Sequence, residues 1–195
     1  EKTGATVYLP SYPLSPNNTY RKAYSLLSAY WKELCSHYKK IFLVGDSAGG
    51  GIALSLTGIF RDSGERLADK IVVISPLTDS SLTASDYTEY EKKDPLLGVT
   101  GIREFAKLWS DTTDPEDPSI SPLFGSSRGF PQTLVLAGTH ECLYPDIIKY
   151  YEKINKEGVD ATLVTGKKMN HVWPLYPIRE AERALGCIAG FLLNN

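Results

Sequence analysis

The stretch that decides the fold reads IFLVGDSAGGG and covers residues 41–51. Its first four residues are all apolar, which predicts a strand buried on both faces of a parallel sheet. A glycine-rich turn follows at once, and a helical pattern continues from it to Ile59. Ser47 stands at the centre of G-x-S-x-G, and a strand, a turn and a helix in this order are the context in which that pattern presents a serine nucleophile.

The spacing of this turn has a physical explanation. A sharp turn, completed by Asp46, holds Ser47 in a strained backbone conformation with its side chain above the sheet. The positions of Gly45 and Gly49 are expected to require a small residue, because a Cβ at either position would collide with the adjacent strand or helix. The helix directs its amide dipoles at the serine, and the N–H of Ala48 can stabilise an oxyanion. The alternatives are a turn that only packs closely and a phosphate loop, although the G-K-[ST] ending of the latter is missing.

Strands and helices alternate along the rest of the chain. Apolar runs predict strands at residues 6–9, 71–74, 133–137 and 161–164, and helical spacing predicts helices at 20–34, 101–109, 145–156 and 178–193. Strands separated by helices pair in parallel through right-handed crossovers. The sequence therefore predicts an α/β fold, with a mostly parallel open sheet and helices on both faces.

One long segment, residues 77–131, interrupts this alternation within an otherwise single domain that covers residues 1–195. It contains several X-Pro pairs and is too long for an ordinary crossover. Long excursions at the carboxyl edge of such sheets carry function, so we expect this one to form part of a lid or pocket wall. Within it, the charged run at residues 89–94 is expected to be a solvated surface.

Composition excludes several classes of protein. The chain has 195 residues, 42% hydrophobic residues and a net charge of −2, which is typical of a globular domain and gives no electrostatic reason to expect nucleic acid as a partner. No apolar run approaches the roughly 18 residues that a membrane span needs. The histidines have no metal-site spacing, so we do not expect a metal. The sequence leaves assembly into a homo-oligomer open.

The three cysteines, Cys35, Cys142 and Cys187, are odd in number and widely spaced. We interpret them as reduced core or partly buried thiols of a cytoplasmic protein. A Cys–His nucleophile is the weaker alternative, because none of the three stands on a sharp turn between a strand and a helix.

A serine nucleophile needs a base and an acid, and in this arrangement the acid and then the histidine follow the serine along the chain. His171 follows the last predicted strand, at the edge of the sheet that carries Ser47, and is the candidate base. His37 and His140 are expected to be structural or exposed. The acid should follow the strand at residues 133–137, where Glu141 and Asp146 are the candidates. Glu141 is favoured because Asp146 follows a proline and can serve as a carboxylate in the first turn of a helix.

These motifs together resemble the hormone-sensitive-lipase-like esterases, an α/β-hydrolase family. GDSAGG at residues 45–50 is similar to the family's nucleophile elbow, and SYPLSP at 11–16 resembles its D-Y-R-L-A-P stretch with three replacements. Residues 131–143 resemble the strand and the D-x-L acid loop, with Glu141 in place of aspartate, and Asn170-His171 resembles the histidine loop. The resemblance implies a Ser47–His171–Glu141 triad that hydrolyses short- to medium-chain carboxylic esters without a cofactor.

One departure from the family pattern affects what the chain is expected to contain. The H-G-G-G oxyanion loop of the family, which would precede residues 5–9, is missing from the sequence. We therefore expect the chain to be a fragment, the C-terminal two-thirds of the family domain. The alternatives are another acyl hydrolase on the same triad, such as an amidase, deacetylase or peptidase, and a non-catalytic relative that binds a small molecule.

Overall fold

The computed structural model of the chain describes residues 2–83 and 87–194. Ten helices and strands lie within these residues: α1 (Tyr20–His37), β1 (Phe42–Asp46), α2 (Ala48–Asp62), β2 (Lys70–Ile74), α3 (Tyr87–Glu91), α4 (Val99–Ser110), β3 (Gln132–Gly138), α5 (Tyr144–Lys156), β4 (Ala161–Gly166) and α6 (Arg179–Leu193). Two short 3-10 turns, Pro122–Phe124 and Trp173–Leu175, complete them. Apart from the strand at residues 6–9, every predicted strand and helix is present, with its ends shifted by a few residues.

The four strands form one parallel sheet in the order β1-β2-β3-β4. Val44 pairs with Val72, Val72 with Leu134, and Leu134 with Thr162. Since all four strands run in the same direction, their carboxyl ends meet at one edge of the sheet. The segments that follow β1, β2, β3 and β4 therefore converge there.

Side chains of the sheet alternate between two apolar layers, as the pleat of a strand requires. In β2, Ile71 and Val73 belong to the layer formed with α1, α2 and α5, whereas Val72 and Ile74 belong to the layer formed with α6. The predicted helices on both faces of an α/β sheet are thus confirmed. Burial of these side chains supplies most of the free energy that holds the sheet rigid beneath its carboxyl edge.

Two predictions about the first strands are wrong. Residues 6–9 form no strand, and Val7 and Leu9 are exposed. The predicted burial of residues 41–44 on both faces also fails, since Val44 is 52% exposed. Within residues 2–83 and 87–194, β1 is hydrogen-bonded only to β2, so it stands at an edge of the sheet, where fewer neighbours cover its side chains.

The charged run at residues 89–94 is exposed at Glu89 and at residues 91–93, as predicted for a solvated surface, but not at its end. Its first part lies in α3, and Asp94 at its end is buried. The Asp94 carboxylate accepts hydrogen bonds from the backbone N–H groups of Leu96, Leu97 and Cys142, at 2.9, 3.1 and 2.8 Å. These three donors replace the water that a carboxylate would otherwise need, which is why it can be buried.

Two kinds of feature are absent from residues 2–83 and 87–194. None of the helices there has both the length and the apolar character needed to cross a lipid bilayer. Nor do these residues contain a group of three or more His, Cys, Asp or Glu side chains that could hold a metal ion.

Candidate active site

Ser47 stands between the end of β1 and the first residue of α2, with φ 52° and ψ −122°. A non-glycine residue in this region costs about 1–3 kcal/mol and persists only where neighbouring groups hold it. Here its N–H donates to the carbonyl of Ile74 at 2.9 Å, and its carbonyl accepts from the N–H of Leu77 at 3.0 Å. The end of β2 and the segment after it therefore fix the strained turn and direct the Ser47 side chain above the sheet edge.

The glycines around Ser47 have different reasons for being small. A Cβ on Gly45 would collide with the backbone carbonyl of Gly49, so the tight turn excludes a side chain there, as predicted. The prediction for Gly49 is wrong, because a Cβ at that position would meet nothing within 4 Å. The close approach on the helix side lies one residue later, where a Cβ on Gly50 would stand 2.8 Å from the Cβ of Pro76.

His171 connects Ser47 to Glu141. The Nε2 atom of His171 lies 2.8 Å from the Ser47 Oγ, and its Nδ1 atom lies 2.8 Å from the Glu141 Oε2. When Nδ1–H donates to the carboxylate, Nε2 is left as an acceptor for the serine proton. The chain order of serine, acid and histidine therefore folds into one continuous line of hydrogen bonds.

The carboxylate in this line is completely buried, and the imidazole nearly so. Burial raises the pKa of the Glu141 carboxyl above its usual value, whereas hydrogen bonds from His171, Ser75 and the Gly138 backbone act in the opposite direction. The Gly138 N–H donates to Oε1 at 2.7 Å, so both carboxylate oxygens have fixed partners. Because little water reaches His171 and Glu141, the electrostatic interaction between these two side chains is stronger.

The other candidate residues lie outside this line. Asp146 is in the first turn of α5, where its Oδ1 is 3.3 Å from Lys149 Nζ, and both ring nitrogens of His171 are already engaged by other residues. His37 is exposed at the end of α1. His140 is half-buried and bonds the carbonyl of Met169 through its backbone N–H.

Two residues beside the site were missed as functional candidates in the sequence. Ser75 follows β2, is completely buried and has φ 49°. Asp94 lies in the 77–131 segment and fixes the backbone N–H of Cys142, directly after Glu141. A signal for Ser75 was present, since it follows an apolar strand at the same sheet edge as Ser47. No local pattern separates Asp94 from its charged neighbours.

Two of the three thiols are buried or half-buried as expected, whereas the third is exposed. Cys142 is buried as predicted, Cys35 is half-buried, and Cys187 is exposed on α6. Burial, together with the nearby Asp94 carboxylate, raises the pKa of the Cys142 thiol to about 12, and its Sγ donates to the carbonyl of Leu97 at 3.1 Å. A thiol that remains protonated at neutral pH cannot serve as a nucleophile.

This environment predicts that native Cys142 resists alkylation by iodoacetamide at pH 8. Its thiolate fraction should be about 10³-fold lower than that of an ordinary thiol with a pKa near 8.5. Mass spectrometry of digested samples should show rapid labelling of Cys187, with Cys142 labelled only after unfolding. Equal labelling rates for the two cysteines in the native protein would contradict the assigned environment.

An apolar cavity of about 400 Å³ opens beside Ser47. Its volume lies within the range of small-molecule sites. The lining side chains are mainly aliphatic and aromatic: Tyr12, Leu14, Tyr24, Ile52, Leu77, Leu97, Ile102, Phe105, Ala106, Trp109, Ile120 and Leu143. The polar members include Ser15 and Ser80, whose hydroxyls donate to the carbonyls of Asn18 and Ile120. The cavity therefore presents a mostly apolar surface next to the serine.

The fold agrees with comparisons to known proteins. The family described as alpha/beta hydrolase fold matches residues 1–175, and the chain belongs to this family. Its structure is similar to that of an esterase from the bacterial hormone-sensitive lipase (HSL) family, with a TM-score of 0.89 and 30% identity over 93% of this chain and 63% of that one. The family resemblance inferred from the sequence is thus confirmed.

Curated relatives with enzymatic names match most of the chain. It is 32% identical to an acetyl-hydrolase of Streptomyces hygroscopicus, over 78% of this chain and 52% of that protein. It is 31% identical to an esterase of Acinetobacter venetianus, over 97% of this chain and 65% of that protein. The chain therefore spans between about half and two-thirds of the length of these two relatives. That it is a fragment stays a prediction.

Proposed function

We propose that the protein is a serine carboxylic ester hydrolase, with Ser47 as nucleophile, His171 as base and Glu141 as acid. The observation that carries this proposal is the line of hydrogen bonds from the Ser47 Oγ through both nitrogens of His171 to Glu141, beside an apolar cavity. Similarity to an esterase and an acetyl-hydrolase supports the reaction class. Because fold alone does not define activity, the proposal depends on this geometry.

The reaction follows from the positions of these atoms. The Ser47 Oγ attacks the ester carbonyl carbon while its proton moves to the Nε2 of His171. Collapse of the tetrahedral intermediate breaks the bond to the alcohol oxygen, which leaves with the proton from Nε2. Water then attacks the acyl-enzyme, Nε2 takes a proton from that water, and Ser47 regains a proton as the acid product leaves. In both halves Glu141 stabilises the imidazolium that forms.

The oxyanion of each tetrahedral intermediate needs donors that are in place before the charge develops. The N–H of Ala48 is our candidate for one donor, because Ala48 is the first residue of α2 and the first amides of a helix have no partner within it. The positive end of the α2 dipole lies at the same position and favours negative charge there.

The cavity beside Ser47 supports a short- to medium-chain acyl ester as substrate. A volume of about 400 Å³ with mainly apolar walls suits a hydrocarbon chain better than a polar one. We also propose that the segment 77–131 forms part of the pocket wall, since it supplies several lining residues, among them Ile102, Trp109 and Ile120. Cytoplasmic location stays a prediction.

A series of p-nitrophenyl esters from acetate to palmitate tests this proposal. Each methylene that enters the cavity should raise kcat/KM up to about 4-fold, since burying it contributes about 0.8 kcal/mol. We expect a rise from acetate towards medium-chain esters, followed by a fall once the cavity is full. Matched anilides measure the competing amidase activity. Faster hydrolysis of anilides than of esters, or no turnover of any ester, would overturn the proposal.

Turnover is also expected to depend on pH. His171 can accept the Ser47 proton only while its Nε2 carries none. kcat/KM for p-nitrophenyl butyrate should therefore rise with pH on the acid side of its profile and then level off, with thermal melting checked at each pH. A flat profile from about pH 5 to 9 would argue against a histidine base.

A further inference from the structure

We propose that Ser75 is a positioning residue, whose hydroxyl holds the loop that carries His171 beside the carboxylate of Glu141. This inference rests on the proposed function, because it concerns the base and the acid of the same site. Ser75 lies outside the Ser47–His171–Glu141 line itself and is not among the residues that line the cavity.

The position of Ser75 follows from the strand order. It is the first residue after β2, and β2 lies between β1, which leads to Ser47, and β3, which leads to Glu141. Its N–H donates to the carbonyl of Leu136 at 2.7 Å, which extends the hydrogen bonding between β2 and β3 by one residue. The side chain therefore begins at the sheet edge, in the middle of the site.

The hydroxyl of Ser75 fixes the residue next to His171. Its Oγ accepts a hydrogen bond from the Val172 N–H at 3.0 Å. Val172 has φ 50° and ψ 31°, a left-handed conformation that is rare for a β-branched residue. Such strain persists only where the surroundings hold it, and the hydrogen bond from Val172 N–H to Ser75 is one such restraint.

The same hydroxyl also acts on the acid. A serine hydroxyl accepts through its lone pairs and donates its one proton, so the bond from Val172 leaves that proton available. A hydrogen bond between Ser75 and the Glu141 carboxylate lowers the pKa of this carboxyl, against the raising effect of burial. His171 on Oε2 and Gly138 on Oε1 are the partners of this buried carboxylate at 2.8 and 2.7 Å, and the Ser75 hydroxyl acts on its pKa beside them.

Two consequences follow from this placement. Without the hydroxyl, the Val172 N–H loses a buried acceptor, and the His171 ring loses a restraint on its orientation. Loss of the Ser75 hydroxyl also makes the Glu141 carboxylate a stronger proton acceptor. The effect is largest while His171 is neutral, because a protonated His171 would already neutralise the negative charge of Glu141. The proton that the His171–Glu141 pair binds is therefore held more tightly, and the pair should titrate at higher pH.

The test compares Ser75→Ala with the wild-type protein. We expect kcat for p-nitrophenyl butyrate to fall about 10–100-fold, the usual effect of a lost bond to a charged group, with KM nearly unchanged because the cavity is untouched. The acid limb of the pH profile of kcat/KM should move to higher pH. An unchanged acid limb would overturn the proposal, since a residue needed only for packing would not move it.

Two control variants separate the hydroxyl from other effects. Ser75→Gly also lacks the hydroxyl but tolerates φ 49° without strain, so it should lose as much activity as Ser75→Ala. Recovery of wild-type kcat in Ser75→Gly would overturn the proposal, because it would show that the loss of activity in Ser75→Ala comes from backbone strain. Ser127→Ala removes another buried hydroxyl, which bonds Tyr150 OH at 3.3 Å, and should change neither kcat nor the pH profile.

A measurement without substrate keeps the inference testable if ester turnover is absent. The ring resonances of His171, followed by NMR against pH, should show a higher titration midpoint in Ser75→Ala than in wild type. Cys142, on the loop that carries Glu141, has Asp94 and Glu91 of the 77–131 segment as charged neighbours, and the variant changes none of these groups. An unchanged midpoint would overturn the role of Ser75, whereas absent turnover with a shifted midpoint would overturn only the proposed function.

Discussion

Ser47→Ala is expected to lower kcat/KM for p-nitrophenyl butyrate by at least about 10⁴-fold while the protein remains folded. The substitution removes the Oγ that would attack the ester carbonyl, and no second nucleophile replaces it at 2.8 Å from His171 Nε2. Alanine at φ 52° is strained much as serine is, so the turn should keep its conformation. Near-ultraviolet circular dichroism and thermal melting check that the fold is intact.

Ser55→Ala is the matched control for this change. Ser55 also lies on α2, is buried and donates to the carbonyl of Pro118 at 3.0 Å, but it does not line the cavity beside Ser47. Removal of the Ser55 hydroxyl should lower the free energy of unfolding and leave kcat/KM within about 3-fold of wild type. If Ser47→Ala retained activity within about 10-fold of wild type, the nucleophile assignment would be wrong, since loss of a triad serine has a far larger effect.

Much of the fold was predictable from the sequence because the burial of side chains produces a local pattern of apolar residues. The apolar run of β2 and the helical spacing in α1 and α6 each report which side chains face the core. The turn around Ser47 was equally predictable, since Gly45 and the strained serine are neighbours in sequence as well as in space. His171 and Glu141 followed from the rule that loops after parallel strands meet at one sheet edge.

The failures share a different physical origin. An apolar run such as residues 6–9 reports hydrophobicity, but a strand also needs a neighbour for its backbone hydrogen bonds, and sequence periodicity carries no information about that neighbour. Val44 is exposed on β1, whose one strand neighbour within residues 2–83 and 87–194 is β2. Burial of an edge strand depends on distant parts of a chain, which a local pattern does not specify.

Asp94 and Ser75 illustrate the same limit within the site. The run of charges ending at Asp94 looks solvated because its buried partner, the N–H of Cys142, lies 48 residues away. Ser75 contacts Val172, which lies 97 residues away. Sequence reasoning could find the groups proposed to transfer protons, because their order and context are typical. It could not find the residues that hold those groups in place, because any polar side chain at the correct distance can do so.

Glu141→Gln is expected to lower kcat by about 10³–10⁴-fold, much more than Asp146→Asn. A glutamine is neutral and cannot stabilise the imidazolium. If its amide N–H₂ faces His171 Nδ1, it also favours the tautomer with the proton on Nε2, which cannot accept the proton of Ser47. The Gly138 N–H would keep an acceptor in the amide oxygen, so the loop should stay folded.

Asp146→Asn provides the comparison because it removes the same charge from the neighbouring acid candidate. The Asp146 carboxylate lies in the first turn of α5 beside Lys149, whereas the His171 nitrogens bond Ser47 and Glu141. Its loss should lower thermal stability, as expected for a carboxylate at a helix N-terminus, and leave kcat within about 3-fold. Both variants are measured for kcat, KM and melting temperature. A larger loss of kcat in Asp146→Asn would exchange the roles of the two acids, and the ester hydrolase proposal would survive that exchange because Ser47 and His171 would keep theirs.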